Sequence, residues 1–133
     1  MPVKTSLNPD GMAPPAGPYS LVTHAPANGR IVFCAGAIAT DQSGAIVGEG
    51  DPGRQTEQVM ANLGVALAAA GATFQDVVKI CTYVIDIAHY PAVAAVRARY
   101  LSEPFPASTL LEVKGLMYPE LLVEIDAIAM TSA

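Results

Sequence analysis

Residues 121–130 read Leu-Leu-Val-Glu-Ile-Asp-Ala-Ile-Ala-Met, an alternation that a β-strand resolves into two chemically distinct faces. Leu121, Val123, Ile125, Ala127 and Ala129 fall on one side, which is apolar throughout. Leu122, Glu124, Asp126, Ile128 and Met130 fall on the other. The strand is therefore predicted to bury one face and to carry two carboxylates side by side on its second. Carboxylates are rarely deeply buried unless paired, protonated or put to use. Upstream, Pro104-Phe105-Pro106 forms a rigid lead-in to Ser108-Thr109, so residues 104–130 are read as two strands around a short turn.

The rest of the chain supplies partners for that strand. Residues 1–18 carry Asn8-Pro9, Pro14-Pro15 and Gly17-Pro18 and read as an extended arm. A short strand is predicted over 19–24. After the Asn28-Gly29 turn signal, a buried strand is predicted over 31–39, and a short third one over 45–47. Asp51-Pro52 opens a helix, with Asp as cap and Pro in the first turn. Val59, Leu63, Ala66, Leu67 and Ala70 recur on one face of it, and Gly71 ends it. A strand follows over 77–87, with Val78, Ile80, Thr82, Val84 and Asp86 on one side. A second helix follows over 89–101, with Val93, Val96, Tyr100 and Leu101 as its stripe. The order is β-β-β-α-β-α-β-β in a single α+β domain, 1–133, with one sheet and both helices on one face.

Composition narrows the function. With 133 residues the chain can bury a real core. Hydrophobic residues make up 52% and charged ones 14%, an apolar excess that suggests burial against copies of itself. Net charge is −5 and the seven Lys and Arg are scattered singly, which argues against nucleic acid as the main partner. No window approaches a membrane span, and no signal peptide is visible, so a cytoplasmic location is expected. Cys34 and Cys81 match no zinc or redox spacing and read as reduced core thiols. His24 and His89 lack ligand-spaced partners, so no metal site is expected. The glycines form no phosphate loop.

Several landmarks appear in a fixed order: Gly17-Pro18-Tyr19, Phe33-Cys34-Ala35-Gly36, Val77-Val78-Lys79, residues 84–87, Pro106-Ala107-Ser108-Thr109, and Val123-Glu124-Ile125-Asp126-Ala127-Ile128-Ala129. Together they resemble the Rid (reactive intermediate deaminase) or YjgF family, from about Ala16 to the C-terminus. The resemblance implies a chorismate-mutase-like fold and a homotrimer whose sheets form a central barrel, with small-molecule clefts between subunits. It also implies hydrolysis of reactive enamines or imines to keto acids and ammonia, with no cofactor and no metal.

Carried over residue by residue, the resemblance makes Glu124 the carboxylate that positions or activates water. Tyr19 matches the family's cleft tyrosine, and Gly36 lies beside the second-strand position. There the family has a serine and this chain has Ala35. The helix asparagine position falls on Ala94. The substrate-binding arginine is replaced by Ser108, whose single uncharged donor cannot reproduce a guanidinium fork. A lost charged hydrogen bond costs about 1.5–3 kcal/mol. Poor turnover of the family's usual small carboxylate imines is therefore expected. Ser108, Thr109 and the Leu110 amide remain as donors to a neutral group. Arg97, one turn beyond Ala94, is the candidate for a replacement cation, against the plainer reading of a solvated helix arginine. Asp126 is read as a solvated or interface-paired acid.

Three functions follow from these residues. The first is a cofactor-free hydrolase of C=N bonds centred on Glu124. The second is a trimer that binds a metabolite or protects proteins without turnover, a reading that Ser108 favours. The third, a ribonuclease, is disfavoured by the acidic charge.

Overall fold

The computed structural model describes residues 3–133. Its elements are β1 (Thr5–Leu7), β2 (Val22–His24), β3 (Arg30–Ala37), α1 (Pro52–Ala69), β4 (Val77–Val84), α2 (Tyr90–Arg97), β5 (Ala107–Glu112) and β6 (Val123–Thr131). This is the predicted β-β-β-α-β-α-β-β order in an α+β fold, with one change of membership. The third early strand is Thr5–Leu7 in the N-terminal arm, which pairs antiparallel with β2 as a separate two-stranded sheet. Residues 45–47 contribute only an isolated bridge between Thr40 and Ile46. The Lys4 ammonium helps to seat the arm by donating to the Val77 carbonyl at 2.7 Å.

The main sheet has the order β3-β6-β4-β5. β6 is antiparallel to both neighbours, and β5 runs parallel to β4 at the edge. The two closing strands therefore do not form a hairpin, because β4 lies between them. The alternation of β6 holds through Ala129: Val123, Ile125, Ala127 and Ala129 are buried and Glu124, Asp126 and Ile128 half-exposed, whereas Met130, expected on the Glu124 face, is buried too. In β4 a register irregularity between Val77 and Lys79 shifts the pattern. Val77 joins Ile80, Thr82 and Val84 in the core, and Val78 leaves it. The strand stops at Val84. Asp86 does not continue it but accepts from the Ala88 amide at 2.9 Å, capping a 3-10 turn over Ile87–His89.

Asp51 caps α1 by accepting from the Arg54 amide at 3.0 Å. Gly71, at φ +74°, ends the helix in a conformation that suits glycine. The buried side of α1 is Gln55, Thr56, Val59, Met60, Leu63 and Leu67. Ala66, expected there, is exposed: Met60 and Thr56 set the stripe on the other flank of Leu63. Two polar residues of α1 order adjoining chain. Asn62 donates to the Ile38 and Thr40 carbonyls at 2.9 and 2.8 Å. Buried Gln55 donates to the Glu120 carbonyl and accepts from the Leu122 amide, both at 2.8 Å, and so fixes the chain as it enters β6. α2 ends at Arg97. Tyr100 follows in a turn, edge-on to Phe74, and Leu101 beyond it is buried.

Among the described residues, no helix is long and apolar enough to cross a membrane. Both helices lie on one side of the main sheet. Its opposite face is left open, and Phe33 and Ile31 of β3 stand 74% and 51% exposed on it.

Candidate functional site

Glu124 lies on that open face, opposite Tyr83 of β4. The pairing of β3 with β6 is irregular between Cys34 and Ala37, so Ala35 and Gly36 together span the stretch beside Asp126. The consequence is a close approach. A Cβ placed on Gly36 would meet the Glu124 carboxylate, with the carboxyl carbon only 2.8 Å away. Glycine at 36 is what lets this carboxylate lie against the β3 backbone. Among the described residues no donor binds it.

The neighbouring groups on this face are committed to one another. Tyr83 donates to Asp126 at 2.9 Å. That hydrogen bond, with lesser contributions from burial and the Asp126 charge, pushes the Tyr83 phenol up to about 12. Lys79 donates to Thr109 Oγ1 at 2.8 Å. Asp126 is thus paired within its own chain. Cys81, expected in the core, is opposite Asp126 and Thr109 on the open face, while Cys34 is opposite Ala127 and packs against the core. Both thiols are free, and burial raises that of Cys34.

Ser108 stands on the other side of the sheet. It is level with Ile80, which in turn is level with Ala127. It therefore faces the helices, whereas Thr109 faces the open side. Ser108 and Leu110 line a cleft of about 280 Å³ with Ala16, Tyr19 and Tyr90. Tyr19 is held there by local chain geometry. Its hydroxyl accepts from the Ala16 amide at 3.1 Å. The next residue, Ser20, docks on the β5 lead-in through its amide to Pro106 O at 2.9 Å and its hydroxyl to Phe105 O at 2.6 Å.

Behind Ser108 lies Arg97. Its Nη2 donates to Ser108 Oγ at 3.3 Å, and it is 2% exposed. Nε and Nη1 are buried without a hydrogen-bond partner among the described residues. Burial lowers its pKa, an effect that the neighbouring Tyr90 phenol partly offsets. Tyr90, Ala94 and Arg97 are spaced i, i+4, i+7, which places them on one helix face. Ala94 is half-buried between the two. That spacing was the available signal for Tyr90, which sequence reasoning missed.

The expected residues thus fall into two groups. Tyr19, Ser108, Leu110 and Arg97 gather on the helix side, with Ala94 on the same helix face. Glu124, Ala35, Gly36 and Thr109 belong to the open side. Reading 104–130 as a hairpin put Ser108 and Glu124 together, and the interposed β4 separates them. A larger depression of about 450 Å³ lies between the arm and Glu103–Phe105. The hydroxyls of Ser6 and Ser20 in its wall are already donated to the Phe105 carbonyl. Among the described residues no three His, Cys, Asp or Glu side chains are grouped to hold a metal.

The family model described as endoribonuclease L-PSP matches residues 11–131. The 3-aminoacrylate deaminase RutC of Acinetobacter baylyi is 34% identical over 126 residues, covering 95% of this chain and 97% of the relative. A RutC family protein of Synechocystis is 40% identical, covering 86% and 87%. Among solved structures, a Rid-family protein of unknown function from Yersinia pestis superposes with a TM-score of 0.88 at 36% identity, covering 97% and 99%. RidA from an Antarctic Psychrobacter gives 0.71 at 28% identity, covering 96% and 99%.

Proposed function

The chain belongs to the Rid/YjgF family, and from that premise we propose that it is a cofactor-free hydrolase of reactive enamines or imines. The observation that carries this reading is Glu124, half-buried against Gly36 with its carboxylate free of donors among the described residues. The deaminase named among the relatives supports it.

In the proposed reaction, an enamine first tautomerises to the imine, gaining a proton at carbon and losing one from nitrogen to water. The carbon of C=N is then attacked by water. Glu124 takes a proton from that water and returns it to nitrogen, giving a carbinolamine. Collapse of the carbinolamine breaks C–N, releases ammonia and leaves a carbonyl. One water is consumed and no electrons are exchanged, so no redox cofactor is required.

Glu124 and the Ser108 cleft leave opposite faces of one sheet, so a site using both needs two copies of the chain. The homotrimer suggested by the family resemblance supplies them. Its formation is supported by the exposed apolar side chains on the Glu124 face, Ile31 and Phe33. The endoribonuclease of the family description is a weaker basis for function, because a chain of net charge −5 with scattered cations offers no phosphate track.

The test is ammonia release while an amino-acid oxidase generates imines in the presence of the protein. Release above the no-protein control, abolished by Glu124→Gln, is expected. Release equal to the control across a broad amino-acid panel would sink the hydrolytic reading and leave a trimer that binds without turnover.

A further inference from the structure

Among the described residues, Arg97 is a buried cation without an anion. Only Nη2 is engaged, by Ser108, while Nε and Nη1 have no partner among the described residues. The ion pair found among those residues is Arg99–Glu57, on the surface. Holding a guanidinium out of water with no opposing charge is strongly unfavourable, so an anion near Arg97 would relieve a real cost. The Ser108 hydroxyl shows where that anion could sit. Its oxygen accepts from Arg97, which leaves its proton free to donate away from Arg97, toward the cleft that Ser108 lines. Donation by Arg97 polarises that hydroxyl and strengthens it as a donor. Tyr19 and Tyr90 add phenol groups to the wall, and Leu110 adds apolar surface.

We propose that Arg97 is the positioning residue for a ligand carboxylate, acting through the Ser108 hydroxyl, so that the Tyr19–Tyr90–Ser108–Leu110 cleft takes small 2-oxo and 2-imino acids. A monoanion matches the single cation. A phosphate dianion would leave one charge buried and unbalanced. This reverses the expectation drawn from Ser108 alone: the cation is missing from β5 but is delivered from α2. The proposal deepens the hydrolytic reading and rests on it for the imino acids. Its recognition of the carboxylate stands separately.

Calorimetric titration with pyruvate and with the neutral isostere pyruvamide tests it on the intact assembly. Wild type is expected to prefer pyruvate by about ten- to hundred-fold, the span of one charged hydrogen bond. Arg97→Gln is expected to erase the preference by weakening pyruvate far more than pyruvamide. Arg97→Lys should restore part of it. A merely structural role would weaken both ligands alike. Ser108→Ala, which removes one hydroxyl, provides the same readout should Arg97→Gln fail to fold, and is expected to lower the preference too.

A wild-type protein with no preference overturns the proposal, as when a carboxylate of a neighbouring copy already neutralises Arg97. So does an Arg97→Gln variant that keeps the preference. Ammonia release with no preference removes this proposal alone. Preference without ammonia release removes the hydrolytic reading alone.

Discussion

The Glu124 carboxylate lies against Gly36 where any larger residue would place its Cβ. The atoms in the way are the end of a flexible side chain, so Gly36→Ala can be accommodated by rotating Glu124 aside. The fold should survive and the carboxylate should move. A misplacement of about 1 Å can cost about 10²-fold in rate, and Gly36→Ala is expected to lose activity on that scale with little change in melting temperature. Full activity in this variant would show that the position of Glu124 is unimportant.

The Tyr83–Asp126 hydrogen bond yields a direct titration. Tyr83 should ionise near pH 12, and in Asp126→Asn it should fall back toward about 10. Because the folded pKa is raised, the stabilisation is fully present below about pH 10 and is lost as pH rises through about 12. Ultraviolet titration of both proteins measures the shift, and identical curves would rule out the hydrogen bond in solution.

Gln55 satisfies two backbone groups of the chain entering β6, Glu120 O and Leu122 N. Gln55→Leu keeps the volume and leaves both without that partner. Each unsatisfied buried group costs about 1–3 kcal/mol, so a loss of about 2–6 kcal/mol is expected in denaturant unfolding. A change below about 0.5 kcal/mol would mean that water replaces the amide.

Phe33, 74% exposed, tests the assembly. Light scattering is expected to give about 41 kDa, three times the 13.7 kDa chain. Burying a phenylalanine contributes about 1.5–3 kcal/mol per copy, and burying a carboxylate in its place is unfavourable. Phe33→Glu should therefore shift the mass toward the monomer and abolish any activity that needs two copies. A trimer unchanged by Phe33→Glu would place the interface elsewhere.

Some features were legible because their causes are local. The faces of β6 follow from strand geometry over nine residues, and Val123, Ile125, Ala127 and Ala129 are buried as the alternation requires. The start of α1 follows from Asp51 and Pro52, and its end from Gly71. Where local signals competed, the reading slipped. Asp86 was placed in a strand, although its side chain accepts from a nearby amide and turns the backbone out of the sheet. Ala66 was assigned to the buried face because an alanine stripe carries little contrast between inside and outside.

The sequence by itself determined the class of fold, the family resemblance and the two carboxylates on one strand face, since each depends on short local patterns and their order along the chain. Only the tertiary structure decided which of those residues meet. Inserting β4 between β5 and β6 holds Ser108 away from Glu124, the register across β4 puts them on opposite faces, and packing α2 against the sheet brings Arg97 behind Ser108. No period or motif encodes either outcome. Strand order and helix docking are set by burial summed over the whole core.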